Sequence, residues 1–194
     1  MVSKDYLKAI KHMEMMRIHL YKHLVQELYA QGHPDVHFSD RLPKCLVKRR
    51  EVNGYPVYQF SYDGILPMYD DEPGYQREIR DYYIRATLRG YDWRSNMESF
   101  EKAAIMAVHY FSDLSIRDLD NRNRSVLINA IRYTGLIGDD NWKNVTYLEK
   151  GELDEEGRCH VQVYVMDAKN LSDFLIVHER MHHDFVLGLT WELC

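Results

Sequence analysis

Nine residues, Arg117 to Ser125, read RDLDNRNRS, and twenty positions on the chain reads GLIGDDNW with adjacent Asp139 and Asp140. If the chain around Asp118 and Asp120 is extended, residues two apart point the same way and both carboxylates face one spot. A short helix is expected between the two acid pairs, and Gly135 after it allows the chain to turn back. Asp139 or Asp140 could then stand beside Asp118 and Asp120. Carboxylates that converge repel one another unless a cation neutralises them. A set of oxygen ligands favours Mg²⁺, Mn²⁺ or Ca²⁺ over zinc. Mg²⁺ held this way could orient and deprotonate a water for in-line attack on a phosphodiester. Arg117, Arg122 and Arg124, interleaved with the acids, suit phosphate binding and stabilisation of the transition-state charge. A plainer reading is also open: Asp120 or Asn121 caps the helix, and Asp139-Asp140 is an acidic turn before a strand.

A second motif competes. His178, Glu179 and His182 match HExxH, which on a helix places two histidines one turn apart for zinc, with the glutamate as general base. Only twelve residues follow His182, so a third ligand would have to come from upstream, for example His109 or His160. The plainer alternative is a terminal amphipathic helix with histidines on its polar side.

The elements that must position these groups are legible in the pattern. Tyr6, Ile10, Met13, Arg17, Leu20, Leu24 and Leu28 recur at helical steps, predicting a helix from about Asp5 to Ala30. The segment from Arg41 to Arg50 carries five positive residues and no acid, and reads as a basic connection. Tyr55–Tyr62 has strand composition, and Gly74–Leu88 has helical periodicity. Phe100–Phe111 reads as a central strand, with a helix also open for so many alanines and methionines, and Asn123–Tyr133 as a short helix. Lys143–Leu148 and His160–Met166 read as two strands joined as a hairpin, and Leu171–Phe185 as a final helix capped by Asn170 or Ser172. The sum is an α+β domain in which a small mixed sheet packs with helices, with an added N-terminal helix and a C-terminal helix. The expected division is 1–54, N-terminal helix and basic connecting segment, and 55–194, the main domain.

Bulk properties narrow the classes. The 194 residues suffice for one domain with a full core plus an appendage, and 45% hydrophobic with 28% charged residues is globular composition. A net charge of −5 weighs against a dedicated nucleic-acid coating protein, although local charge decides contact with phosphate. Three cysteines without close spacing argue against a disulfide framework and for a reducing, cytoplasmic compartment. No apolar run reaches membrane-spanning length, and no export signal opens the chain.

RDLDN, a short helix, then GLIGDDNWKNV and a strand together resemble the RusA-like Holliday junction resolvases. That family carries DxDN, a following basic residue, and a DD pair after a helix. The resemblance runs from Phe100 to Met166, about a third of the chain. It implies a small mixed sheet with helices, a homodimer, and Mg²⁺-dependent nicking of branched DNA such as a four-way junction, in recombination or repair on mobile elements. It implies Asp118, Asp120 and Asp140 as metal ligands, with Asp139 beside them. Where the family has lysine after DxDN, this chain offers Arg124, or Ser125 if the register shifts by one. Arginine keeps the charge but does not readily give up a proton. Arg117, Asn121 and Arg122, with Lys44, Lys48, Arg49 and Arg50, are expected to contact the DNA backbone. The alternatives are the zinc hydrolase and a catalytically inactive DNA-binding homologue.

Overall fold

In the computed structural model the described residues are 45–92 and 98–180, together with 5, 8, 9, 12, 13, 15, 16, 18–20 and 23. Five strands form one mixed sheet: β1 (Cys45–Val52), β2 (Tyr55–Asp63), β3 (Ala103–Phe111), β4 (Val145–Leu153) and β5 (His160–Asp167), in the order β1-β2-β5-β3-β4. Three helices pack on it: α1 (Pro73–Gly90), α2 (Ser125–Tyr133) and α3 (Leu171–Arg180). The described residues between 5 and 23 are helical, and Ile18 belongs to the same core cluster as the buried residues of α1 and α2. The chain is thus α+β, a small mixed sheet packed with helices.

Alternation decides the layers. Ala103, Ile105 and Ala107 of β3 share one face with Val161, Val163 and Val165, and α1 and α2 cover that face. Ala104, Met106, Val108 and Tyr110 line the other face, against Phe174 of α3. Helix α1 starts with Pro73 in its first turn, where the missing N–H costs nothing, and buries Tyr75, Ile79, Tyr83 and Ala86 along one stripe. Helix α2 buries Val126, Leu127, Ala130 and Ile131, and Gly135 just past its end takes a left-handed φ of 81°.

Two expectations are corrected. The basic stretch is not a connection: from Cys45 it is strand β1, paired antiparallel with β2 through an Asn53-Gly54 turn with φ of 46° and 83°. Positive φ at both turn residues matches the twist of a two-residue hairpin. A boundary at residue 54 would cut through that hairpin. Strands β4 and β5 also form no hairpin, because β3 lies between them, parallel to β4 and antiparallel to β5. A short link between two alternating segments reads as a hairpin, yet the six residues between β4 and β5 step over one strand. The final helix begins at Leu171 after a 3₁₀ turn, in which the Asp167 carboxylate accepts the Lys169 N–H. Its predicted continuation beyond Arg180 lies outside the described residues, as do Lys44 and His182.

Candidate active site at the carboxyl ends of the parallel strands

The parallel pair β3–β4 decides where the acids go. After Phe111 the chain leaves the carboxyl end of β3, forms the loop holding Asp118 and Asp120, and enters α2. Helix α2 then carries it back to the amino end of β4. Asp139 and Asp140 lie there: the Asn144 and Val145 N–H groups bond Asn141 O, and Ala103 N–H bonds Asn144 O. Leu119, between the other two acids, stands within 4.0 Å of the place a Cβ would occupy on Gly151. From Val145 to Gly151 is six steps along a strand, about 20 Å at ~3.3 Å per residue.

The four predicted metal-binding aspartates therefore do not meet within one chain. Among the described residues no group of three or more His, Cys, Asp or Glu could hold a metal ion. The physical reason is the crossover. A helix joining two parallel strands must return the chain to the starting edge, so its two ends cannot share a site. Asp140 instead faces Arg132 of the last α2 turn at 3.6 Å, and Asp139 accepts from Asn141 at 2.7 Å and from the Asp140 N–H at 2.8 Å. Those bonds hold the Asp139 carboxyl below its ordinary value.

The Asp118–Asp120 loop is fixed from beneath. Arg122 donates to Leu66 O at 3.0 Å, Asn123 N–H bonds Pro67 O, and Tyr69 N–H bonds Asn121 O. Asn123 is buried and its Oδ1 accepts from Ser125 Oγ at 2.6 Å. Arg117 lies 5.0 Å over the Phe111 ring and donates to Asp113 at 2.8 Å, and that bond, with those from Ser115, holds the Asp113 carboxyl well below the usual carboxylate range. Asn121 donates to Asp118 at 3.4 Å. Arg117 and Arg122 thus shape the loop, while Asp118 and Asp120 remain exposed.

Arg124 differs from them. It stands at the start of α2 with its side chain 45% exposed, and its Nη1 is 3.7 Å from Glu149 Oε2. Ser125, the alternative for the basic position, spends its hydroxyl on Asn123. Glu149 is 9% exposed, and its Oε1 is 2.7 Å from Nε2 of the buried His109 on β3. Tyr147, on the same face of β4, has its hydroxyl pushed up by burial and by the Glu149 charge.

Glu149 and His109 were not singled out as a pair by the sequence. Their signal was nevertheless present. In VTYLEKGEL, alternation puts Val145, Tyr147 and Glu149 on one face, and in AVHYF it puts His109 on the face of Ile105 and Ala107. An acid and an imidazole on core-facing strand positions each need a partner.

The remaining predicted contacts scatter. Lys48, Arg49 and Arg50 lie on β1, the sheet edge opposite β4, four strands away or about 19 Å at ~4.8 Å per strand. Arg49 pairs with Glu98 at 2.9 Å and Arg50 donates to Gln59 at 2.6 Å. For the zinc alternative, His178 is 1% exposed and packs against Tyr164 and Phe174, ring centroids 5.2 Å and 5.7 Å away, while His182 lies outside the described residues. Of the two upstream candidates, His160 stacks on Tyr110 on the face of the sheet that packs against Phe174 of α3. His109 lies on the opposite face of the sheet from α3 and cannot complete such a site.

No helix of the described residues is long and apolar enough to cross a membrane. Compared with protein-family models and with curated proteins, the chain matches none.

Proposed function

We propose that this chain is an endonuclease hydrolysing phosphodiester bonds in branched DNA, with its site at the carboxyl ends of β3 and β4. One observation carries the reading: the Asp118–Asp120 loop, packed near Gly151 through Leu119, leads into helix α2, and from the start of that helix Arg124 reaches Glu149 at the middle of β4. The start of a helix presents the positive end of its dipole to an anion, and an adjacent guanidinium binds phosphate with two parallel bonds. Arg124 supplies charge stabilisation, since a guanidinium stays protonated throughout.

The rim of the site suits nucleic acid. The loop before Asp118 presents Leu114 at 85% and Ile116 at 99% exposure beside Arg117. Apolar tips of this kind wedge against unstacked bases, which branched DNA provides at its crossing point. Contacts from Lys48 and Arg49 on the far edge would meet a second arm of the substrate. Backbone contacts of this sort position DNA without reading its sequence. Two copies about a two-fold axis would set two such sites against a four-way junction.

The choice of branched DNA, the homodimer and the magnesium (or manganese) requirement rest on the sequence resemblance through DLDN and GDD. The described carboxylates do not form the three-ligand set expected for that cation, and the chemistry here rests on the chain's own side chains. The test is direct. The full chain is incubated with a synthetic four-way junction, or with linear duplex of the same sequence, in Mg²⁺, Mn²⁺ or chelator. Cutting of the junction in preference to duplex supports the proposal. Absence of both cutting and junction binding under all conditions rejects it.

A further inference from the structure

Glu149 occupies an unusual position for an acid. Its carboxylate is largely withdrawn from water, on the core-facing side of β4, where burial of a charge is costly unless it is bonded. Two groups approach it, one at each carboxylate oxygen. His109 Nε2 is 2.7 Å from Oε1, and Arg124 Nη1 is 3.7 Å from Oε2. The His109 ring is itself buried, stacked 6.2 Å from the Phe111 ring, and its Nδ1 has no hydrogen-bond partner among the described residues. A strand core has no need of this pair, since two apolar side chains would fill the same space. The arrangement leaves one carboxylate oxygen fixed and the other turned toward the exposed guanidinium.

We infer that Glu149 is the general base of the proposed cleavage, with His109 as the positioning residue that fixes it. The inference rests on the nuclease reading above. A diester phosphate bound by Arg124 lies next to Glu149 Oε2. A water between them gives its proton to Oε2 while its oxygen forms a new bond to phosphorus. The ester P–O bond on the far side breaks, and the leaving oxygen takes a proton from solvent. Glu149 then returns its proton to solvent, so the net reaction is hydrolysis to a phosphate monoester and a hydroxyl end. No electron transfer occurs.

The experiment uses the full chain and a labelled four-way junction under single-turnover conditions, with binding measured separately. Glu149→Gln keeps shape and a hydrogen bond to His109 but cannot accept the proton. It is expected to bind the junction within about threefold of the parent and to cut it about 100-fold or more slowly, the usual contribution of a general base. Glu149→Ala is expected to be equally slow and to regain rate when formate is added. His109→Gln, whose amide can still donate to Glu149, is expected to retain more rate than His109→Leu at unchanged junction affinity. The inference is overturned if Glu149→Gln cuts at the parental rate, or if its binding falls together with its rate. Failure of formate to restore a folded Glu149→Ala variant also overturns it. If the parent cuts no junction at all, the nuclease reading itself fails; if the parent cuts and Glu149→Gln cuts equally, only this inference does.

Discussion

His109 Nε2 and Glu149 Oε1 lie 2.7 Å apart across the parallel strands β3 and β4, both with side chains at most 9% exposed. Removing one member leaves the other buried without its partner, a cost of about 1–3 kcal/mol or more for a charged group. Replacing both with apolar residues removes the desolvation problem altogether. His109→Leu is therefore expected to lower the melting temperature, and His109→Leu with Glu149→Leu to recover part of it. Thermal melts of the two single variants and the double variant check this; purely additive losses would mean that the two side chains are not coupled.

Gly90 closes α1 against β1 so tightly that a Cβ there would lie 1.9 Å from the Cys45 backbone oxygen. Backbone cannot swing aside as a side chain can. Gly90→Ala is expected to cost about 3 kcal/mol or more, at or beyond the upper range for overpacking. Gly138→Ala, with nothing within 4 Å of its added Cβ, is the control and should be near neutral. Denaturant unfolding of both variants measures the contrast.

Burial holds the His160 imidazole below its ordinary value of 6.5, with Asp154 pulling the other way and Arg158 adding to the depression. The unfolded chain then binds a proton more readily than the folded one. Stability from this group is complete above about pH 6.5 and is lost as pH falls below that toward the depressed folded value. Melting temperatures between about pH 7 and pH 5 should fall more steeply for the parent than for His160→Gln. Parallel curves would show that His160 carries none of the acid sensitivity.

Arg124 is expected to contribute one phosphate contact. Arg124→Ala should weaken junction binding and lower the slope of log affinity against log salt by about one. Arg124→Lys should keep the slope, since the charge remains, while losing the paired geometry of the guanidinium. Titrations at several salt concentrations read both quantities; an unchanged slope in Arg124→Ala would remove this residue from the DNA contact.

Much of the fold could be read from residue pattern, because periodicity is a local property. Ile79, Tyr82 and Tyr83 mark α1, and the clean alternation of Val161, Val163 and Val165 marks β5. What pattern could not supply was which strands pair. The order of β4 and β5 around β3 depends on contacts far apart in sequence, and the hairpin expected from a short link was wrong for that reason. The same non-local fact separated Asp118 and Asp120 from Asp139 and Asp140. Spacing across one helix is compatible with convergence or with opposite ends of a sheet, and only the parallel pairing of β3 with β4 distinguishes them. The basic run at Lys48–Arg50 read as a connection because charge hid its alternation. In VHERMH, a helical motif fitting zinc could not reveal that His178 faces Phe174 and Tyr164.

The central claim is that the end of the sheet bearing Asp118, Asp120 and Arg124 cuts branched DNA. Single-turnover cleavage of a four-way junction in Mg²⁺ by the parent and by Arg124→Ala, at protein concentrations giving equal binding, tests it most directly. The account predicts paired nicks near the crossing point for the parent and a loss of about 100-fold or more for Arg124→Ala, comparable with removing a group that stabilises transition-state charge. Equal cutting by the two proteins, or no cutting by a parent that binds the junction, would contradict it.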